Sequence, residues 1–262
     1  MRLLIGSPCG GGQVTTQYLL SAMETMNQSL MHKQEIAKQI IQQIPNFDNK
    51  NPQHQQALAQ NLALHTFDIG FYTLAGESLI QRGRNHIAQI ALTQGWDKLM
   101  FIDADAGWTW PQLHKIITSP HPITAGVCPL KIYPISLNFL PFQQDEIYFK
   151  NAERSLEGMK KMAANAGSPL VKVPFVGTAF LCIDRSVLQA LAETADHYKY
   201  PNPGTGESES HWDFFKVESI KDTFLSEDWG FCHRAREAGF DVYIDTDVII
   251  THTGNHTFRV GA

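Results

Sequence analysis

The sequence predicts an α/β fold: a mixed, mainly parallel sheet flanked by helices in a single domain over residues 1–262. Three observations lead there. Strand-like and helix-like stretches alternate along the chain, and its start reads as strand, glycine-rich loop, helix. The third is an apolar run, Leu99-Met100-Phe101-Ile102, that stops abruptly at Asp103-Ala104-Asp105. Buried strands of open α/β sheets end in this way at the carboxyl edge, where such sheets bind ligands.

The elements follow in order. Arg2 to Gly6 reads as the first strand, the loop runs Ser7-Pro8-Cys9-Gly10-Gly11-Gly12, and a helix starts near Val14. The three glycines permit close approach of a nucleotide or serve as a plain connector, and Thr15 stands where a dinucleotide fingerprint needs its third glycine. A Gln- and Asn-rich stretch with Pro45, Asp48, Asn49 and Pro52 reads as a polar excursion over about residues 41–61. A helix begins near Ser78, carrying Arg82, Arg84 and Asn85, and after Gly95 comes the Asp-x-Asp strand. Ile123 to Cys128 is a further buried strand, and Lys131 beyond it faces either substrate or solvent. Val173 to Asp184 reads as a strand interrupted by Gly177, which marks either close approach of a ligand or a bulge, and a helix follows from Arg185 to Ala192. Residues 198–216, rich in Pro and Gly and ending in His211-Trp212-Asp213-Phe214-Phe215, suit a lid or acceptor platform, with core packing of Trp212 and Phe214 the competing reading. Ser226 caps a helix that Gly239 ends, and a last strand, Val242 to Ile250, leads into Thr251-His252-Thr253.

Composition narrows the class of protein. The chain is 43% hydrophobic, enough for a substantial core, and its net charge of −5 gives no global attraction to nucleic acid or anionic membrane. Cys9, Cys128, Cys182 and Cys232 are scattered without Cys-x-x-Cys spacing, which points to reduced thiols in a cell and away from zinc. Leu3-Leu4-Ile5 is too short for a signal sequence and no stretch has the length of a membrane span, so a cytoplasmic protein is expected.

The chemistry-bearing residues fall into three blocks. On an ideal strand Asp103 and Asp105 share a face and can reach one hard cation, Mn²⁺ or Mg²⁺; capping of the following turn is the alternative. Arg82, Arg84 and Asn85 suit phosphate and nucleotide contacts, or form a solvated helical face. Glu227 and Asp228 lie in the first turn of their helix, where the dipole favours carboxylates, and either acid can accept a proton from an acceptor hydroxyl. His252 can add an imidazole ligand to the same ion, with His256 a weaker copy.

Taken in order, Arg82-Gly83-Arg84-Asn85, Phe101-Ile102-Asp103-Ala104-Asp105, Gly177-Thr178-Ala179-Phe180, Ser226-Glu227-Asp228 and His252 resemble a GT-A-fold glycosyltransferase. More narrowly, the chain is similar to the compact enzymes often encoded by bacteriophages and bacteria. The resemblance implies a metal-dependent transferase using a nucleotide-linked donor, a UDP-sugar or a related one. It implies Asp105 as direct metal ligand, Asp103 on ribose or a metal-bound water, and His252 completing the set. Ser7, Pro8, Arg82, Arg84, Asn85, Gly177 and Thr178 would surround the donor. Asp228, or less favourably Glu227, would be the base of an inverting transfer; in a retaining one Asp228 would orient substrate or stabilise positive charge on the sugar. The Gln-x-x-Arg-Trp element of processive synthases is missing, so transfer of a single sugar is expected. The acceptor is a hydroxymethylated pyrimidine in phage DNA or a surface glycan, and Lys199, Lys216 and Lys221 are candidates for a DNA track. A catalytically silent nucleotide-sugar binding module and a sugar nucleotidyltransferase are the alternatives.

Overall fold

The structure is a computed structural model describing residues 1–142, 154–201, 206–220, 223–254 and 257–259. Its first strand, β1 (Arg2–Cys9), runs three residues past the expected end, so Ser7, Pro8 and Cys9 belong to a strand and not to the glycine loop. Helix α1 (Thr16–Gln43) follows with Thr15 as its cap, and α2 (Pro52–His65) starts with Asn51 as cap and Pro52 in the first turn. The expected polar excursion is therefore largely a helical hairpin. Gln is a good helix former, and Pro costs nothing in a first turn, where its missing N–H has no partner to lose. The hairpin leads to β2 (Asp68–Ala75), a partly exposed strand without the apolar run that would mark it in sequence.

Then come α3 (Ile80–Thr93), β3 (Lys98–Ile102), the short β4 (Ala106–Gly107), α4 (Trp110–Ile117) and β5 (Ile123–Val127). The middle of the chain contributes β6 (Phe139–Leu140), α5 (Leu156–Ala166), β7 (Leu170–Val173), β8 (Phe175–Val176), β9 (Phe180–Asp184) and α6 (Arg185–Ala192). The stretch from Val173 to Asp184 is thus three strands, with Gly177 in the link between β8 and β9. The expected lid is mostly an antiparallel hairpin, β10 (His197–Pro201) with β11 (Ser208–Trp212). Phe214 and Phe215 are buried, and Trp212 stacks on Phe214 at 5.8 Å, so this segment seats its aromatics in the core. The remaining elements are β12 (Glu218–Ile220), β13 (Thr223–Leu225), α7 (Glu227–Glu237), β14 (Val242–Ile249), β15 (Thr251–Thr253) and β16 (Thr257–Phe258).

The central sheet has the order β2-β1-β3-β9-β5-β14-β7. Strands β2, β1, β3, β5 and β14 point the same way, while β9 and β7 run against them. The fold is accordingly a mixed α/β sheet, mainly parallel, with helices on both faces. Along β1, Leu4 enters one core cluster, with Ile87 and Ala91 of α3 and Val187 of α6, while Leu3 and Ile5 enter the other, with Tyr18 of α1 and Leu113 of α4. Burial on both faces is why these strands read as unbroken apolar runs and not as alternating ones. The parallel strands bring Cys9, Ile102, Val127 and Ile249 to one edge, and residues just beyond those ends build the site.

Between α3 and α7, the segment 213–216 is held from both sides. Asn85 donates to Asp213 Oδ1 and accepts from the Phe215 N–H, both at 2.7 Å. Arg234 donates to the Phe214 and Lys216 carbonyls at 2.9 and 3.1 Å. Gly230 is required there, since an added Cβ would stand 2.4 Å from the Lys216 carbonyl oxygen. Truncating a buried side chain that makes two such bonds leaves both partners unsatisfied. Asn85→Ala is expected to lower unfolding free energy by about 2–3 kcal/mol, read as a shifted midpoint in urea at unchanged slope.

Candidate functional site

Strand β3 ends at Ile102, so Asp103, Ala104 and Asp105 form a turn and do not continue the strand as the ideal alternation implied. The turn is closed by the Ala106 N–H on the Asp103 carbonyl at 3.0 Å. Three other parts of the chain fix its backbone: Thr15 N–H donates to the Ala104 carbonyl, Asp103 N–H to Ala179, and Thr253 N–H to Asp105. The loop before α1, the link into β9 and strand β15 therefore all converge on the two acids. Tertiary hydrogen bonds, not strand alternation, point both carboxylates into one space.

Asp103, Asp105 and His252 each offer a ligand atom, and these atoms lie within 4.8 Å of one another. His252 Nδ1 is 3.0 Å from the Pro129 carbonyl, which can only accept, so this nitrogen carries a hydrogen. Nε2 then faces Asp105 Oδ1 at 3.0 Å, and in the neutral ring it presents a lone pair to a carboxylate oxygen. Two facing acceptors need a proton or a cation between them. Two oxygens and one imidazole nitrogen suit Mn²⁺ or Mg²⁺, and a second hydrogen bond that fixes the tautomer is the usual support of a ligating histidine. Burial works to raise the Asp105 carboxyl, but with a proton in that gap the bonds donated by His252 and Lys131 together bring it below its ordinary value.

Arg84 is the second cation. Its side chain is only 6% exposed, and it bridges Glu227 in the first turn of α7 and Asp103 Oδ1, the latter at 3.3 Å. Glu227 is thereby engaged, whereas its neighbour Asp228 is turned elsewhere. Asp228 Oδ1 accepts from the Ser226 hydroxyl and from the Trp229 N–H at 2.9 Å. Oδ2 faces the Gly177 backbone, where an added Cβ would stand 3.4 Å from it. Burial pushes the Asp228 carboxyl above its ordinary value, against the pull of Arg84 and with the help of Glu227.

Two adjoining cavities share Arg84, Asp103 and His252. The larger, about 970 Å³, is walled by Pro8, Gly10, Gly11, the 13–17 stretch, Asp105 and Lys131. The smaller, about 300 Å³, holds Asn138, Arg154, Gly177, Thr178, Asp228 and Trp229. Asn138 Nδ2 and Thr178 Oγ1 are buried there with no hydrogen-bond partner among the described residues.

Of the sequence-predicted site residues, Pro8, Arg84, Asp103, Asp105, Gly177, Thr178, Asp228 and His252 line these two spaces. Ser7 does not; it is buried against the Tyr18 hydroxyl at 2.6 Å. Arg82 does not either, being paired with Glu77 at 2.5 Å and stacked over Tyr200 at 4.1 Å beside a separate cavity of about 100 Å³. Asn85 is the clamp on residues 213–215. His256 and Lys221 lie outside the described residues. Lys131, for which substrate and solvent were both open, pairs with Asp105 and lines the larger cavity; Asn138 and Arg154 stand in no recognisable sequence pattern.

No family model matches the chain, and no curated protein matches it. Among solved structures it is similar to A197 from STIV, at 12% identity and a TM-score of 0.50, over all of this chain and 95% of that one. It is also similar to GalNAc-T7 in a structure with UDP, GalNAc and Mn²⁺, at 9% identity and a TM-score of 0.47, covering 100% of this chain and 44% of that one. A third is S. aureus TarS 1-349, at 11% identity and a TM-score of 0.38, covering 99% and 60%. At such identity the likeness to A197 describes the fold.

The triad carries a direct expectation. Replacing Asp105 with Ala removes a carboxylate without disturbing the backbone bonds of its turn, so the variant should fold and bind Mn²⁺ at least tenfold more weakly by calorimetry. His252→Ala should weaken binding in the same direction, and titration curves identical to wild type would remove both residues from the ligand set.

Proposed function

We propose that this chain is a metal-dependent transferase of the GT-A type that moves a single sugar from a nucleoside-diphosphate sugar, a UDP-sugar, to an acceptor hydroxyl. The observation that carries the reading is the placement of Asp228 across a small cavity from the Asp103, Asp105 and His252 cluster, with Arg84 and Asp103 common to both spaces. The larger cavity is of a size to take a nucleotide and its phosphates. The smaller, with its unpartnered amide and hydroxyl, suits the sugar and the incoming hydroxyl.

Asp103, Asp105 and His252 would hold Mn²⁺ or Mg²⁺, whose charge supplies stabilisation of the departing diphosphate. Lys131, now on Asp105, is placed to meet phosphate oxygens at the same spot. In an inverting transfer Asp228 Oδ2 takes the proton of the acceptor hydroxyl, whose oxygen bonds to the anomeric carbon as the bond to the diphosphate breaks and leaves its electron pair there. Trp229 N–H and Ser226 hold Oδ1, so the side chain keeps its orientation during that step. Glu227 stays on Arg84 and fixes the start of α7 to the metal-side turn.

A glycan hydroxyl is favoured over DNA as acceptor. Lys199 is exposed, but Lys216 is paired with Asp196 at 2.7 Å, and the aromatic residues that suggested a base-stacking platform are packed inward. Added to a net charge of −5, these features offer little to a polyanion.

Two measurements test the reading. In a thermal-shift series, one UDP-sugar should raise the melting temperature with Mn²⁺ and not with chelator, since a ligand bound only to the folded state stabilises it. Turnover should release UDP; release of pyrophosphate would identify a nucleotidyltransferase, and binding without any turnover across acceptors a silent module. For the base, Asp228→Asn should retain donor affinity and lose transfer by at least 10²-fold. Because this carboxyl is raised by burial while Asp105 is lowered, the rate should fall with decreasing pH through a limb above the ordinary aspartate value of about 3.9. A limb unchanged in Asp228→Asn would assign it to another group.

A further inference from the structure

Helix α1 carries two unlike faces. Tyr18, Ser21 and Thr25 are buried, Ser21 and Thr25 accepting from the Trp108 backbone and indole N–H groups at 2.9 Å. The opposite side presents Leu19, Leu20, Met23, Met26, Leu30 and Met31, each between 51% and 61% exposed. At roughly 100° per residue these six fall within about 80° of Met23, whereas the three buried residues fall at about 140–160° from it. The result is an apolar stripe about 18 Å long with nothing among the described residues laid over it.

Charge is nearly missing from this face. Between Arg2 and Lys33 the only Asp, Glu, Lys or Arg is Glu24, and its carboxylate accepts from the Trp110 backbone N–H at 3.3 Å, toward α4 and off the stripe. A helix that lies on a membrane carries Lys and Arg along its polar flanks; here none stands beside the stripe itself, and the first, Lys33, follows its end and is paired with Asp68. Order along the stripe supplies the positive argument. A two-fold axis through position 25 sets each residue i against residue 50 minus i of an antiparallel copy. Leu19 then meets Met31 and Leu20 meets Leu30, while Met23 and Met26 flank the centre, set against Asn27 and Glu24 of the copy. At its two ends the apolar pattern is therefore complementary to itself, as an isologous contact requires.

We propose that the exposed face of α1 is the contact between two copies of this chain, packed as an antiparallel helix pair about a two-fold axis near Thr25. The six side chains present on the order of 600 Å² per copy. Covered from both sides, with the uncharged residues flanking them, they reach the roughly 1,200 Å² at the lower end of specific interfaces. Leu20 also lines the 970 Å³ cavity, so the contact continues into the wall of the candidate site, and the Leu30 end of one copy meets that wall of the other.

The test uses the full chain and needs neither donor nor acceptor. Sedimentation velocity from 1 to 100 µM should show the mass of two chains, and Met23→Glu with Met26→Glu should give the mass of one at every concentration with the far-ultraviolet spectrum unchanged. A second variant guards against misfolding. The four native cysteines are buried, so Met23→Cys adds one accessible thiol, and a short bismaleimide should link two copies at high yield. Leu64→Cys, on α2 and more exposed than Met23, should not link. A wild-type monomer at 100 µM overturns the proposal, including one that floats with neutral lipid vesicles. A dimer that survives the double substitution without linking through position 23 overturns it too, by placing the contact elsewhere.

Discussion

A single buried guanidinium organises the site. Arg84 sits between Asp103 on the turn after β3 and Glu227 at the start of α7, and so ties the metal-side acids to the helix that carries Asp228. Such a charge cluster is weak evidence for stability, because desolvating three ions offsets much of their attraction. Its consequence is position. An Arg that forks to two carboxylates fixes distance and angle together, which a flexible Lys would not. The next residue, Asn85, fastens the 213–215 segment, and Arg234 grips it again from α7, so one turn of α3 registers both walls of the smaller cavity.

Two carboxylates of this one site are driven in opposite directions. Asp105, surrounded by His252 and Lys131, is kept ionised; Asp228, burdened by burial and by neighbouring Glu227, is made more basic. Divergent environments for two acids in one site are how a protein separates a charge-holding role from a proton-accepting one. Here the separation comes from placement: one acid lies in a turn met by cations, the other at a helix start against the Gly177 backbone.

The sequence displayed the ends of the argument better than its middle. The Asp-x-Asp stop after an apolar run, the Ser226 cap with its acids, and His252 after the last strand all sit where a period changes, and such changes are readable. The closeness of His252 to Asp105, 147 positions apart, is a product of sheet order and required the fold. Arg82 and Arg84 show a local rule left unused: residues two apart on a helix diverge by about 200°, so they seldom serve one site. Asn51-Pro52 was a cap followed by a first-turn proline, a helix start concealed by a Gln- and Asn-rich composition. Residues 198–216 read as a loop because Pro and Gly outweighed the short strands around them. Asn138 and Arg154 follow no repeating pattern, and only tertiary placement reveals them.

The helical hairpin between β1 and β2 has a consequence for how freely this fold can vary. Its ends leave and rejoin neighbouring strands that are already paired over their full length, from Arg2 with Asp68 to Cys9 with Ala75. Closing a connection costs entropy that grows only with the logarithm of its length, about 0.6 kcal/mol for each doubling. The far end of the hairpin is therefore a region where insertion and deletion are nearly neutral for the sheet. Drift in chain length should collect there, leaving the first turns of α1, beside the acids, as the part that selection holds in register.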